Sequence, residues 1–462
     1  MWRARKHVLR RNRRQSVDRS SVLTGQAGEA DDCSNSKGRS VSVVIATLDR
    51  CNHLANLLDS LRWQTHRAFE VVVVVGPSTD NTVNMLQRFH GNVRVAHNDE
   101  RNLNKSRNVG VSMARGEILA FIDDDEIPEP QWLASLVEYF SAPSVGSVGG
   151  AVLGPNGRDL DWLYCSADMY GRAYLSVDEP THHHRSDPSD PAARRLQYFP
   201  GGNCAIRRTA LNSIGGFDER IPYYLDETDT FFRLKMAGWD MVTAPKARLH
   251  HLYLAGITRA ADDGRTTNWT PVVQSRAYFS TKYALPLVGM ERVIEEFGDF
   301  TSGIRASLAD REAVGLFDSA VAAAREALQC SQGAPVTSAD CYIAGPSRPN
   351  EMVLYPTIVS SSSRHIVAID ETADERAADA LESRLQELSQ LGHSVRSIRA
   401  GSEPSTRWHK SIWRHTISPD PRSSGLAEQR EVESIATVRP VDELLLDCAE
   451  VRPQGSLALT HD

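Results

Sequence analysis

The sequence predicts an α/β fold in which a doubly wound, mostly parallel sheet is flanked by helices. Short runs at 41–46, 71–75, 93–96 and 117–122 are rich in apolar residues, many of them β-branched, as expected of strands that are buried on both faces. Amphipathic helical stretches separate these runs, and this alternation is typical of doubly wound sheets. Ligands of such folds bind beyond the carboxyl ends of the strands.

The predicted helices follow the strands in order. The first helix carries leucines at helical spacing between the first two strands: Leu54, Leu57, Leu58 and Leu61. The next contains Val109 and Met113 and ends at Gly116, and a third covers residues 130–140, with a proline in its first turn. An Ala-rich amphipathic stretch at 305–330 predicts further helix.

Composition narrows the class of protein. The chain has 462 residues, of which 41% are hydrophobic, so it is long and apolar enough to form a core. A net charge of −7 argues against a nucleic-acid partner, although residues 1–20 hold eight basic side chains and one acidic one. Seven cysteines without a CxxC spacing favour a reducing, cytoplasmic compartment. No run is long enough for a membrane span, so we expect a soluble or peripheral protein.

The pattern predicts five segments. Residues 1–39 are polar and basic and predict a disordered arm. The main α/β domain covers 40–290, and a helical extension covers 291–345. Residues 346–400 contain one βαβ-like unit, and residues 401–462 form a polar, flexible tail. We therefore expect a small α/β or helical appendage behind the main domain.

The sequence FIDDDEIP, from Phe121 to Pro128, ends a buried strand with three aspartates and a glutamate. Carboxylates crowded at the end of a strand repel one another unless a cation neutralises them. Oxygen ligands with room for phosphate oxygens suit Mg²⁺ or Mn²⁺ better than Zn²⁺. The motif therefore predicts a divalent metal that binds a diphosphate.

Several further motifs accompany this acidic run in a fixed order. They are VSVVIATLDR (41–50), GPSTDNT (76–82), LNKSRNVG (103–110), FPGGNCAIRR (199–208), DETD (226–229) and ARLHHLY (247–253). With these motifs, residues 40–260 resemble the inverting, GT-A-fold glycosyltransferases of family 2. The resemblance implies metal-dependent transfer of a sugar, with inversion, from a nucleotide-diphosphate sugar to an acceptor hydroxyl.

The resemblance also implies a donor site. The DxD aspartates of the family bind the metal and the donor diphosphate, which here implies Asp123 and Asp125 as metal ligands with Asp124 between them. The implied donor contacts are Thr47, Asp49, Arg50, Arg107, Asp123 and Asp124. Many members of the family carry an acidic residue that contacts the nucleobase at the positions of Val75 and Gly76. The resemblance therefore does not identify the nucleotide of the donor.

On the acceptor side, the resemblance implies sugar contacts at Gly202 and Asn203, where a glycine pair lets the backbone approach closely. The DETD motif resembles the family's ED-x-D, whose second acid is the general base. This motif implies Glu227 as the base, with Asp226 as the alternative. The next acid, Asp229, is spaced to pair with Arg233 one helical turn later.

A third metal ligand is implied by ARLHHLY, which resembles a family strand that supplies a histidine. The spacing selects His251, with His250 as the alternative. Mn²⁺ or Mg²⁺ is therefore the implied cofactor.

Two alternative functions use the same or a related fold. A sugar nucleotidyltransferase would carry a glycine-rich phosphate loop after the first strand, but ATLDRCNHL has none. A non-catalytic sugar-nucleotide or glycan-binding protein that retains the fold stays open, although the intact acids favour an enzyme. The predicted partners are a nucleotide-diphosphate sugar and a glycan, lipid-linked or small-molecule acceptor. Residues 1–20 predict docking on an anionic membrane surface.

Overall fold

A computed structural model of the chain describes residues 39–154, 160–176, 195–221, 223–254, 266–308, 311–330 and 352–357. From residue 365 onward it describes six strands and part of a helix. Residues 1–38, which hold almost all of the predicted basic arm, lie outside the described residues. The prediction of a disordered arm therefore stays a prediction.

Twelve strands lie in the described part of residues 39–254. They are β1 Val41–Thr47, β2 Phe69–Val75, β3 Val93–His97, β4 Ile118–Phe121, β5 Glu126–Pro128, β6 Val145–Leu153, β7 Leu160–Trp162, β8 Tyr164–Asp168, β9 Ala173–Ser176, β10 Arg195–Tyr198, β11 Cys204–Arg207 and β12 Asp240–His251. The four apolar runs of the sequence correspond to β1, β2, β3 and β4.

Nine of these strands form the main sheet, in the order β3-β2-β1-β4-β11-β6-β12-β5, with β7 paired to β6. The pairs β3-β2, β2-β1, β1-β4 and β6-β12 are parallel. Because β11 is antiparallel to both β4 and β6, six strands run in one direction and β5, β7 and β11 run against them. The prediction of a mostly parallel sheet is confirmed. Strands β8, β9 and β10 form a separate antiparallel sheet.

The described helices flank the main sheet or follow it in the chain. They are α1 Cys51–Leu61, α2 Thr82–Leu86, α3 Leu103–Met113, α4 Trp132–Val137, α5 Arg208–Ser213, α6 Asp226–Met236, α7 Thr270–Tyr283, α8 Leu285–Val288, α9 Met290–Arg305 and α10 Arg311–Cys330, with short 3₁₀ turns at Gln87–Phe89 and Glu138–Ser141. Within the described residues, no helix combines the length and the apolar character needed to cross a bilayer.

Both faces of the sheet are buried along β1, β2 and β4, as the apolar runs predict, whereas the edge strand β3 is only partly buried. Alternate residues of a strand point to opposite faces. Val43 and Val71 therefore belong to one core cluster with Leu54 of α1. Val44 and Val72 belong to the other, which also includes residues of α3, α6 and α7. Helices on both faces thus leave the carboxyl edge of the sheet as the open side for a ligand.

A six-stranded sheet lies near the end of the chain. Its strands are β13 His365–Asp370, β14 Ser394–Ala400, β15 Ser405–His409, β16 Ile412–Ile417, β17 Cys448–Val451 and β18 Leu457–Leu459. Strands β13 and β14 pair in parallel, as expected of the predicted βαβ-like unit. Four of the strands lie within 401–462, where the sequence predicts a flexible tail. The division into domains stays a prediction.

Candidate active site

The carboxyl ends of β1, β2 and β4 meet at one edge of the main sheet, and predicted site residues gather there. Thr47 ends β1, and the acidic segment, residues 123–125, directly follows β4. The Thr47 hydroxyl donates to Asp124 Oδ2 at 2.8 Å. Arg50 Nη1 lies 3.3 Å from Asp125 Oδ2 and 3.9 Å from Asp124 Oδ1. The first strand and its loop therefore hold the acidic segment in place.

Asp124 is the aspartate that faces β1. Burial raises the pKa of Asp124 to about 7, although Arg50 and the Thr47 hydroxyl favour the ionised form. Because its carboxylate already bonds to Thr47, the contact that the structure shows is internal to the protein. The predicted donor contact of Asp124 stays a proposal.

Asp125 is held by the end of β12. The backbone N–H of Leu252 donates to the Asp125 carbonyl at 3.0 Å, and that of Leu254 donates to Asp125 Oδ2 at 3.1 Å. His251 Nε2 lies 3.8 Å from Asp125 Oδ1. Burial alone would raise the pKa of Asp125, but the charges of His251 and Arg50 outweigh it and lower that pKa. Asp125 is thus the most acidic position of the segment.

The two histidines of β12 face different surroundings. His251 lies next to Asp125, whereas His250 is fully buried and its Nε2 lies 3.1 Å from Glu129 Oε1. Successive residues of a strand point to opposite sides, which explains the difference. The structure therefore brings His251, not His250, to the acidic segment.

Asp123 is the most accessible carboxylate of the acidic segment, with 41% of its side chain exposed. Its backbone N–H donates to Glu126 Oε2 at 2.9 Å, and its Oδ1 lies 3.5 Å from Arg107 Nη2. Asp123 is therefore the aspartate best placed to meet a ligand that enters from solvent.

Arg107 of α3 joins the acidic segment to the start of α6. Its Nη1 donates to Asp226 Oδ2 at 2.5 Å, while Nη2 faces Asp123. Only 5% of its side chain is exposed, and the guanidinium also packs over the Phe217 ring at 5.6 Å. The structure thus places the arginine of LNKSRNVG between the residues predicted for the donor and those predicted for the base.

The helix α6 begins abruptly with the two candidate bases. Tyr224 and Leu225, just before it, have φ angles of 68° and 65°. Residues other than glycine rarely adopt this left-handed backbone conformation, which costs about 1–3 kcal/mol per residue. Asp226 and Glu227 then occupy the first turn, where the helix dipole favours negative charge.

Asp226 and Glu227 differ in their partners. Asp226 is buried and engaged by Arg107, whereas Glu227 is half-buried. Burial raises the pKa of Glu227 well above its usual range, and the adjacent charge of Asp226 raises it further, against the opposing effect of Arg107. A carboxylate of raised pKa is a stronger base when ionised, so the direction of this shift is compatible with Glu227 as the base. The assignment of the base stays a proposal.

The glycine pair lies against charged side chains of the protein. A Cβ at Gly202 would lie 2.2 Å from Glu126 Oε2, and one at Gly201 would lie 2.6 Å from Arg107 Nη2. In this structure the two glycines therefore make room for Glu126 and Arg107. The predicted acceptor contact at Gly202 stays a proposal.

Asn203 is fully buried, and protein groups surround its amide. Its Nδ2 donates to the carbonyls of Ala151 at 2.8 Å and Ala247 at 3.1 Å, and its Oδ1 accepts from Trp132 Nε1 at 2.8 Å. Both amide hydrogens are thus used within the core, so here the side chain ties β6, β12 and α4 together and does not face an acceptor. This placement differs from the sequence prediction, because residue type and spacing do not show which way an asparagine points.

Asp49 ties two loops at the carboxyl edge together. Its φ is 54°, and its Oδ1 accepts from the backbone N–H groups of Thr79 at 2.6 Å and Asp80 at 3.2 Å. Asp80 in turn accepts from the N–H groups of Cys51 and Thr82, at the starts of α1 and α2. Asp49 is exposed, but its observed contacts shape the loops beside Thr47.

Glu126 is a site residue that the sequence reasoning did not assign. It is 2% exposed, and burial together with the nearby charge of Asp123 raises its pKa well above the usual range. It fixes the acidic segment through the Asp123 N–H and fits against Gly202. The sequence does carry a signal for this residue, because Glu126 directly continues the run of three aspartates into the short strand β5.

The candidate metal ligands are carboxylate oxygens of Asp123 and Asp125 and an imidazole nitrogen of His251. This donor set suits Mn²⁺ or Mg²⁺. Among the residues that the structure describes, no three His, Cys, Asp or Glu side chains are grouped so that they could enclose a metal ion. A metal here would therefore need further ligands from a bound diphosphate or water.

Comparison with known proteins identifies the family. Residues 42–215 match the model of glycosyl transferase family 2. The N-acetylglucosaminyl-diphospho-decaprenol L-rhamnosyltransferase of Mycobacterium tuberculosis (strain ATCC 25618 / H37Rv) is 30% identical over 45% of this chain and 75% of its own length. The chain belongs to the family 2 glycosyltransferases.

Another relative shares a smaller part of its own length with this chain. The protein y4gI of Sinorhizobium fredii is 28% identical over 46% of this chain, and the match covers 24% of that relative. Among solved structures, a mannosyltransferase from Pyrobaculum calidifontis, in complex with GDP-Man and Mn²⁺, superposes with a TM-score of 0.39 at 21% identity. That superposition covers 63% of this chain and 76% of the mannosyltransferase.

Proposed function

We propose that the chain is an inverting, metal-dependent glycosyltransferase that moves a sugar from a nucleotide-diphosphate sugar to an acceptor hydroxyl. The observation that carries this proposal is the position of Arg107, whose guanidinium contacts both Asp123 and Asp226. A group that can pair with phosphate thus lies beside a candidate base at the open edge of the sheet. Inversion needs a single displacement and no covalent enzyme intermediate.

Glu227 is the proposed base. It accepts the proton of the acceptor hydroxyl as that oxygen attacks the anomeric carbon, opposite the leaving diphosphate. Asp226 keeps Arg107 in place and is the alternative base. A positioned general base contributes a factor of about 10²–10⁴ to the rate.

On the donor side, Asp123, Asp125 and His251 would hold Mn²⁺ or Mg²⁺. When bound, such a metal stabilises the negative charge that develops on the leaving diphosphate. Arg107, on α3, would stabilise the same negative charge. Thr47, Asp49 and Arg50 shape the adjacent loops, where the nucleotide is proposed to bind.

A donor screen tests the function. Binding and hydrolysis of UDP-, GDP- and dTDP-sugars are measured with and without Mn²⁺ for the wild type, Asp125→Ala and Glu227→Gln. We expect one donor to bind with metal, Asp125→Ala to lose this binding, and Glu227→Gln to bind the donor without turning it over. Asp240→Ala, at the exposed start of β12, is the matched control and should behave as the wild type.

The screen also separates the enzyme from the alternative function. Donor binding without turnover in the wild type would favour a non-catalytic sugar-nucleotide-binding protein. If no sugar nucleotide binds with or without metal, the proposed transferase is wrong.

A lipid-linked acceptor is the one to test first. One relative is named for transfer to N-acetylglucosaminyl-diphospho-decaprenol. In addition, the eight basic side chains of residues 1–20 would attract an anionic membrane surface. We therefore propose that the enzyme works at the inner face of a membrane, docked through residues 1–20.

A further inference from the structure

Lys282, near the end of α7, joins two buried carboxylates that belong to different elements. Its Nζ lies 2.8 Å from Asp218 Oδ2 and 2.6 Å from Asp229 Oδ1. Both aspartate side chains are at most 1% exposed, and the lysine side chain is 8% exposed. Asp229 lies one turn into α6, the helix that begins with Asp226 and Glu227.

Charge neutralisation alone does not explain this lysine, because each aspartate has an arginine of its own. Asp218 accepts hydrogen bonds of 2.9 and 3.0 Å from Arg220, and Asp229 accepts one of 2.8 Å from Arg233. Burying a further ammonium group is costly.

Two tyrosines of α7 also donate to these aspartates, Tyr278 to Asp218 at 2.9 Å and Tyr283 to Asp229 at 2.7 Å. Each of these tyrosine side chains bonds to one aspartate carboxylate, whereas Lys282 bonds to both and so bridges the two aspartate–arginine pairs.

The segment that carries Asp218 is also tied to α3. Asn104 Nδ2 donates to the Asp218 carbonyl at 2.9 Å. Asn108 Nδ2 donates to the Phe217 carbonyl, and the Phe217 N–H donates back to Asn108 Oδ1, both at 2.9 Å. Helix α3 also carries Arg107. The contacts therefore lead from α3 to Asp218, from Asp218 to Lys282, and from Lys282 to α6, the helix that begins with the proposed base.

Several contacts hold α6 relative to α3. The Arg107–Asp226 ion pair joins the two helices at the very start of α6. Two turns along α6, Arg233 Nη1 donates to two backbone carbonyls of the segment 214–216, at 2.7 and 2.6 Å. The bridge through Asp229 lies between these two points, one turn into α6, and adds α7 to the contacts that hold the start of the helix.

We propose that Lys282 is a positioning residue: by joining Asp218 to Asp229 it fixes Glu227 relative to Arg107. The inference rests on the proposed function and adds to it a residue from α7. Lys282 lies beyond residues 42–215, the part of the chain that the family model matches. A misplacement of about 1 Å can lower a rate by about 100-fold, so the bridge matters to catalysis more than to binding.

The test replaces Lys282 with methionine, which keeps an unbranched side chain and removes the ammonium. We expect kcat to fall by about 100-fold, while the KM and Kd for the donor change less than about twofold. Lys282→Arg, whose fork can reach two carboxylates, should recover most of the lost kcat. Lys235→Met removes an exposed lysine from α6 itself and should leave kcat unchanged.

A purely structural role predicts a different result. If Lys282→Met lowers the melting temperature but folded enzyme keeps its kcat, the positioning role is wrong. If Lys282→Met does not fold, Lys282→Gln takes its place with the same expected loss of kcat, and an unchanged kcat again overturns the inference.

Hydrogen exchange separates this inference from the proposed function. Amides of residues 226–236 should exchange faster in Lys282→Met than in Lys235→Met, and equal exchange overturns the bridge. A wild type that turns over no donor contradicts the proposed function, while the exchange result still decides whether Lys282 holds α6.

Discussion

Glu227 and Asp226 are neighbours in sequence but differ in their partners, because Arg107 donates to Asp226. Since burial and the charge of Asp226 raise the pKa of Glu227, we expect kcat to rise with pH as Glu227 ionises and to level off above that pKa. Glu227→Gln should lose this pH dependence and about 10²–10⁴ of kcat, with unchanged donor affinity. Initial rates from pH 5 to 9 and titration calorimetry measure both.

A matched control for this prediction is Glu100→Gln, because Glu100 pairs with Lys105 at the surface and lies outside the site. It should keep the wild-type profile. If Glu227→Gln retains the rise of kcat with pH, Asp226 is the base.

The space beside Gly202 leads to a second prediction. An alanine Cβ there would lie 2.2 Å from Glu126 Oε2, so Gly202→Ala must displace the glutamate. We expect a loss of stability of about 1–3 kcal/mol and a lower kcat. Gly303→Ala, where a Cβ meets nothing within 4 Å in helix α9, should gain about 0.5–1 kcal/mol. Urea unfolding measures the free energy of unfolding of both variants. Equal changes in the two variants would contradict the predicted clash between an alanine Cβ at position 202 and Glu126.

The sequence predicted which residues gather at the edge of the sheet, but not the orientation of their side chains. Thr47, Arg107 and the acidic segment could be predicted to meet, because parallel strands end at one edge. The inward direction of Asn203 and the fit of Glu126 against Gly202 depend on packing between strands that are distant in sequence. The position of a residue in a motif does not carry that information.

Among the elements, Lys282 of α7 bonds to Asp229 of α6 and to Asp218, which precedes that helix in the chain. Burial alone would raise the pKa of Asp218, but hydrogen bonds from Arg220 and Lys282 outweigh it and lower that pKa. The folded state therefore gains stability from ionised Asp218 above about pH 4, the pKa of an unfolded aspartate. This gain is lost as the pH falls toward the lower folded value.

Asp218→Asn should accordingly cost about 3 kcal/mol at pH 7, and the difference from the wild type should shrink at pH 3. Urea midpoints at both pH values provide the measurement. Asp318→Asn, which removes a surface partner of Arg305, should leave both midpoints unchanged. A difference for Asp218→Asn that is equally large at pH 3 would contradict the ion-pair explanation.

The elements that follow local patterns were predictable, and those that depend on distant pairing were not. The four apolar strands and α1 follow directly from hydrophobic periodicity. Strand β5 has three residues, Glu126–Pro128, of which one is acidic and one is proline, and it exists because β12 pairs with it. The packing of α7 against α6 and the bridge made by Lys282 could not be predicted, since the residues that α7 contacts lie on other elements.

For the whole molecule, charge is distributed unevenly along the chain. Residues 1–20 are strongly basic within an acidic protein. We expect that removal of residues 1–20 abolishes sedimentation with vesicles that contain anionic lipid, because the electrostatic attraction is lost. Donor affinity should be unchanged, and vesicles of neutral lipid serve as the control. Unchanged sedimentation with anionic vesicles would refute membrane docking.

The pairing of β5 with β12 also has a consequence for biosynthesis. Asp125 is anchored by Leu254, which follows it by 129 residues, so its final position depends on a late part of the chain. A nascent chain that has emerged as far as residue 215 contains β1 to β11 but no β12. Contacts between such distant segments form slowly. The acidic segment therefore takes its final position only after β12 has emerged from the ribosome, and the proposed metal site is among the last parts of the domain to mature.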